Sequence, residues 1–210
     1  MANPTNEELQ NSEKYELVAQ LEHRRIKEFV VEQLNTESSL IKGFMVYQGI
    51  MILVGLFFAT RPLVLALRGN FEPLFWLLGA MVFSFSLLIV IHELLHLLAF
   101  KITGAKKVRI GGDLKKFIFY AEADRHVLNK KQFSFIALTP LVAVKIMALA
   151  GIILTISSPA VYFWIFVMCV HSLFCAGDVG MLSFLNRFTD SEIYTFDVSE
   201  EKRSYFYREI

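Results

Sequence analysis

Four apolar runs dominate the sequence, at residues 44–67, 71–100, 133–156 and 160–185. A helix rises about 1.5 Å per residue, so about 20 apolar residues cross a hydrocarbon core of roughly 30 Å, and each run is long enough. With 55% hydrophobic residues, 20 Phe and a mean hydropathy of +0.48, the chain is too apolar for an ordinary soluble domain of its length. The expectation is a mainly α polytopic membrane protein with four transmembrane helices.

Lys and Arg set the orientation of such helices. Five precede residue 43, two (Arg61 and Arg68) fall at the end of the first run and just after it, nine fall within 101–131, none separates the third and fourth runs, and four follow residue 186. This alternation predicts that both termini and the second loop are cytoplasmic. The net charge of +1 gives no reason to expect nucleic acid as a partner. Cys169 and Cys175 share one apolar run, where they make no secreted disulfide framework.

Three segments are expected: a cytoplasmic N-terminal segment over 1–42, a membrane domain over 43–186 and a cytoplasmic tail over 187–210. No signal peptide is visible, because the first 42 residues lack an apolar core. Thr5 and Glu8 have capping-box spacing, and Leu17, Leu21, Ile26, Phe29, Val30 and Leu34 recur at roughly helical intervals. These predict an amphipathic helix over 6–35 that packs on the rest of the protein. The loop "KKVRIGGDLKKFIFYAEA", interrupted by Gly111-Gly112-Asp113, predicts a β-hairpin at about 106–121, and 192–198 reads as a further short strand.

Polar chemistry enters at "IHELLHLLAF", residues 91–100. On a helix, His92 and His96 lie four residues apart and share a face, so that both imidazoles can meet one metal ion. Zinc suits that pair, and a catalytic zinc takes a third protein ligand. Glu93 is then the general base, removing a proton from water as it attacks a peptide carbonyl. The bland alternative is that these side chains meet water at a helix end. Against it stands the cost of polar groups within a membrane helix, about 2.5–3.5 kcal/mol for a charge at its centre.

The fourth run offers His171, Cys175 and Asp178 in "HSLFCAGDVG", spaced along one helical face. Counting about 1.5 Å per residue from the outer face puts His92 about 31 Å down, Asp178 about 28 Å and His171 only about 18 Å. Asp178 is therefore the expected third ligand. His171 is expected a turn or two farther into the membrane, meeting substrate or hydrogen-bonding within the site, and Cys175 is read as packing. Gly177 and Gly180 would permit close approach of a neighbouring helix or substrate. Lys145, near the middle of the third run, needs a buried acceptor or a catalytic use, and Pro140 frees a backbone carbonyl that Thr139 could satisfy.

"HELLHLLAFKITGAKKVRIGGDLKKFIFYAEA", the Thr139-Pro140 helix and "HSLFCAGDVG" together resemble the putative zincin peptidases, small bacterial membrane proteins related in layout to site-2 proteases. The resemblance covers about residues 75–200. It implies zinc held by His92, His96 and Asp178, catalysis by Glu93, a bacterial inner-membrane location, and membrane-anchored protein substrates cut near the cytoplasmic face. In site-2 proteases the aspartate precedes its glycine, whereas here Gly177 precedes Asp178, and His171 stands nearest the place of their upstream asparagine. The resulting expectation is a zinc-dependent intramembrane endopeptidase with Glu93 and His171 as catalytic residues. The alternative is a metal-binding membrane scaffold or sensor without proteolysis.

Overall fold

The computed structural model describes residues 3–113 and 118–210. In chain order the elements are β1 (Tyr15–Glu22), α1 (Ile26–Leu34), α2 (Ser39–Leu67), α3 (Glu72–Ser84), α4 (Leu87–Ile102), β2 (Val108–Asp113) and β3 (Ile118–Ala123). They continue as β4 (Leu128–Asn129), α5 (Lys130–Thr155), α6 (Val161–Phe174), α7 (Ala176–Asn186), β5 (Ile193–Val198) and β6 (Arg203–Glu209). The chain forms two compact units, one of Met1–Ile41, Glu93–Thr139 and Gly177–Ile210, the other of Lys42–His92 and Pro140–Ala176.

The second unit is helical. α2 and α5 are each long and apolar enough to cross a membrane, and with the bent pairs α3–α4 and α6–α7 the candidate spans number two to four. The four helices expected from the runs are the upper end of this range, and two of the runs are broken by bends. α3 gives way to α4 at Phe85 and Ser86 with a bend of 47°, and α6 to α7 at Cys175 with a bend of 41°. At the first break the Ser86 hydroxyl donates to Val82 O at 2.6 Å and so occupies a carbonyl at the end of α3. α2 turns Leu53, Leu56 and Phe57 outward, as a lipid-facing helix must. Gly151 lets Trp164 of α6 lie against α5, since a Cβ there would fall 2.2 Å from the indole.

The other unit carries the sheets. One antiparallel sheet has the order β1-β6-β5-β4, with Tyr15 opposite Glu209, Phe196 opposite Tyr205 and Leu128 opposite Thr195. Its inner face packs Leu21, Ile193 and Phe206 against Phe184 and Leu185 of α7. β2 and β3 form the separate hairpin, Val108 opposite Ala123, as expected. The expected interruption at Gly111-Gly112-Asp113 is corrected, because β2 runs through these residues; residues 114–117, which the predicted hairpin includes, lie outside the described residues.

The helix expected over 6–35 is also corrected. Thr5 and Glu8 do form the capping box, with Glu8 N donating to Thr5 Oγ1 at 3.2 Å and Thr5 N to Glu8 Oε2 at 2.7 Å. It caps only one 3-10 turn, Glu8–Gln10. Strand β1 follows, and helix resumes only at α1. The misleading signal is a bulge between Leu17 and Ala19, which interrupts the alternation of β1. Val18 and Leu21 both reach the core, while Leu17, whose four-residue spacing from Leu21 suggested a helix, is exposed.

Candidate metal centre

α4 is built of strong helix formers, with Leu at six of its sixteen positions. It ends at Ile102 because Gly104 takes φ +93°, a left-handed conformation that lets Gly104 N and Ala105 N reach Lys101 O and Phe100 O, each at 3.0 Å. Along α4, Leu94 and Leu98 are exposed, whereas His92, Glu93 and His96 are all buried. The helix therefore hides its polar side chains and shows its apolar ones, the reverse of a soluble helix.

His96 is held from two sides. Its Nδ1 lies 3.0 Å from Ile136 O, and its Nε2 lies 3.1 Å from Asp178 Oδ1. Proline has no N–H, so Pro140 in α5 gives no hydrogen bond to the carbonyl four residues before it, which is Ile136 O. The carbonyl that Pro140 frees is thus taken by His96, while Thr139 Oγ1 donates to Phe135 O at 2.6 Å. A carbonyl only accepts, so Nδ1 carries the proton and the neutral ring turns a lone pair from Nε2 toward the aspartate. Two acceptors face each other there, and a cation or a second proton between them relieves the repulsion. In tetrahedral zinc, nitrogen and oxygen ligands sit about 3.3 Å apart, given metal–ligand bonds of about 2.0–2.1 Å. The observed 3.1 Å is close to that edge. Asp178 stands in the first turn of α7, just beyond the break that ends α6.

In the helical unit His92 meets a different group. Its Nδ1 lies 3.1 Å from His171 Nε2, and His171 Nδ1 lies 3.8 Å from Cys175 Sγ. His171 and Cys175 are fully buried. The depth count that put His171 one or two turns from the histidines of α4 is corrected: its ring meets that of His92. The α3–α4 bend accounts for part of the error, because a path bent by 47° descends less than a straight helix of equal length. α6 is held to α2 by Ser172, whose hydroxyl donates to Gln48 Oε1 at 2.8 Å while Gln48 Nε2 donates to Ser172 O. No sequence pattern marked Gln48, since its partner lies far along the chain.

The remaining expected groups divide. Lys145 Nζ donates to Met168 O at 2.7 Å, approaches Met51 Sδ at 3.2 Å and sits over the Tyr47 ring at 5.1 Å, so its contacts are structural. Gly180 does permit close approach, because a Cβ would meet Val30 Cγ1 of α1 at 3.1 Å; Gly177 has open space instead.

A buried His–Glu–x–x–His helix with a carboxylate on one of its imidazoles is the donor chemistry of a zincin. The family model described as putative zincin peptidase matches residues 85–192, which contain all of these groups, and the chain belongs to that family. No curated protein and no solved structure matches it. Family membership implies zinc, and the His, Cys and Asp groups described above could hold a metal ion.

Proposed function

We propose that the protein is a zinc-dependent intramembrane endopeptidase that hydrolyses membrane-associated proteins near the cytoplasmic face of a bacterial inner membrane. Both termini and the β2–β3 hairpin lie on the cytoplasmic side, in keeping with the nine Lys and Arg at 101–131. His92, His96 and Asp178 hold the ion. Two imidazoles and a carboxylate suit zinc, and the observation that carries the reading is the opposition of His96 Nε2 and Asp178 Oδ1 across 3.1 Å. When bound, zinc supplies Lewis-acid polarisation and a more acidic water.

The chain's own residues do the rest. Glu93, one residue beyond His92 on α4, accepts the proton of the attacking water and returns it to the leaving amine. Ile136 O fixes the tautomer of His96, and His171 steadies the ring of His92, so the catalytic role expected for His171 narrows to positioning. A helical substrate must unwind before its amides can react. β2 pairs only with β3 among the described strands, and its other edge can hold an extended segment by strand addition.

The test is cleavage of candidate membrane proteins by wild type and Glu93→Gln, with zinc content measured on both and on Asp178→Ala. The reading predicts cleavage by wild type only and zinc in both proteins that retain Asp178. Equal cleavage by wild type and Glu93→Gln removes the enzymatic claim. Bound zinc without cleavage by either leaves the scaffold alternative.

A further inference from the structure

His171 and Cys175 are two buried groups of metal-ligating type that the proposed hydrolysis does not use as ligands. With His92 they form a cluster in which one ligand atom from each residue lies within 4.8 Å of the others. All three belong to the helical unit and are buried. A thiol and two imidazoles make a softer donor set than two imidazoles and a carboxylate, and soft donors favour thiophilic ions. We propose that His92, His171 and Cys175 form a second cation site, selective for a thiophilic ion such as Cd2+, Cu+ or surplus Zn2+, whose occupation silences the peptidase.

The silencing part rests on the zinc reading above and follows from imidazole chemistry. The nitrogen of His92 that faces His171 is Nδ1. A neutral imidazole has one lone pair, so His92 that ligates through Nδ1 carries its proton on Nε2 and cannot serve the His96–Asp178 end of the site at the same time. Proton balance is simple: Cys175 loses its thiol proton to solvent as sulfur ligates, and the proton shared between the imidazoles moves to the opposite nitrogen of its own ring. The break at Cys175 places the thiol at the end of α6, where its sulfur also lies 3.4 Å from His171 O. Cys169, one and a half turns earlier, packs its Cβ against Gly55 and serves as the control.

The experiment uses the full chain, purified in detergent, stripped of metal with a chelator and titrated with Cd2+. The expected result is an ultraviolet thiolate-to-cadmium band in wild type that saturates with one equivalent. Cys169→Ser and Asp178→Ala should keep it, Cys175→Ser should lose it, and His171→Ala should weaken Cd2+ binding at least tenfold. A wild-type titration with no such band, or a band that survives in Cys175→Ser, overturns the site whatever the fate of other variants. Surplus Zn2+ should inhibit cleavage at least tenfold less effectively in Cys175→Ser, and equal inhibition overturns the silencing role. The zinc reading fails separately, through an Asp178→Ala protein that still holds zinc and cleaves, with the cadmium band unaffected.

Discussion

The sheet-bearing unit holds two buried imidazole–carboxylate groups, and they are built on opposite principles. In the sheets, His23 stands between Glu122 Oε2 at 3.4 Å and Asp197 Oδ1 at 3.8 Å, Arg109 Nε donates to Glu122 Oε1, and the Ser199 and Ser204 hydroxyls donate to Glu122 and Asp197 at 2.9 and 2.6 Å. The guanidinium supplies the cation to Glu122, and through His23 the network reaches Asp197 of β5 and Ser204 of β6. At the end of α4, His96 donates its Nδ1–H to Ile136 O, and a neutral ring would then turn a lone pair toward Asp178, where a cation or a second proton is needed. Burial of a histidine beside an acid is therefore no mark of a metal site. What marks it is the ring nitrogen that is already committed.

The largest effect that sharpens this contrast is chemical. Glu93→Gln should lower cleavage by about 10²–10⁴-fold, the usual share of a general base, and leave zinc content intact. Glu122→Gln, which also neutralises a buried glutamate, should leave kcat/KM within about twofold. Asp178→Ala comes next: made in a Cys175→Ser background, it should abolish stoichiometric zinc, and a double variant that keeps its zinc without this carboxylate would break the comparison. On stability the ranking reverses. Glu122→Gln removes the charge that pairs with Arg109 and turns the oxygen beside His23 into an N–H donor, and should cost about 1–3 kcal/mol in chemical denaturation, without loss of zinc.

How much of this could be read from the sequence follows from how local each feature is. His92, Glu93 and His96 were legible because their relation is one helical turn. Asp178 was found by counting depth, and the same count failed for His171 in part because a bend inside the second apolar run carries no strong signal in residue types: Phe85-Ser86 looks like any other part of a membrane helix. Pro140 was recognised as freeing a carbonyl, but that His96 takes it is a contact across 40 residues, beyond any periodicity. The network at His23 was invisible for the same reason, since Ser204 lies 181 residues away. β1 was hidden by its bulge.

The carbonyl of Ile136 gives a finer test of the same idea. In Pro140→Ala the new N–H competes with His96 for this acceptor, and the Nδ1 tautomer is less firmly held. Zinc affinity should fall about tenfold, at the low end of what loss of a ligand's supporting hydrogen bond costs, while the straighter helix leaves thermal stability unchanged or raised. Measured by competition with a chromophoric chelator, unchanged affinity would show that the carbonyl does not set the ring. No such coupling is expected at the sheet network, where Arg109 and not a tautomer supplies the charge.

The smallest effect concerns the third histidine of this unit, His126, between β3 and β4. It pairs with no acid; its Nε2 lies 3.3 Å from Thr103 Oγ1. Burial pushes its pKa below the ordinary histidine value, and hydrogen bonding to Thr103 offsets this only in part. A lowered pKa means that the folded protein prefers the neutral ring, so on acidification the unfolded chain takes the proton first. The contribution of His126 to stability is accordingly full above about pH 6.5, the ordinary value, and is lost as pH falls from there through the lowered folded value, with no further change below it. His126→Gln should remove it, so that wild type minus variant, followed by denaturant melts between pH 7.5 and 5, slopes downward with acid; a flat or rising difference would mean that an acid reaches this ring too, as at His23.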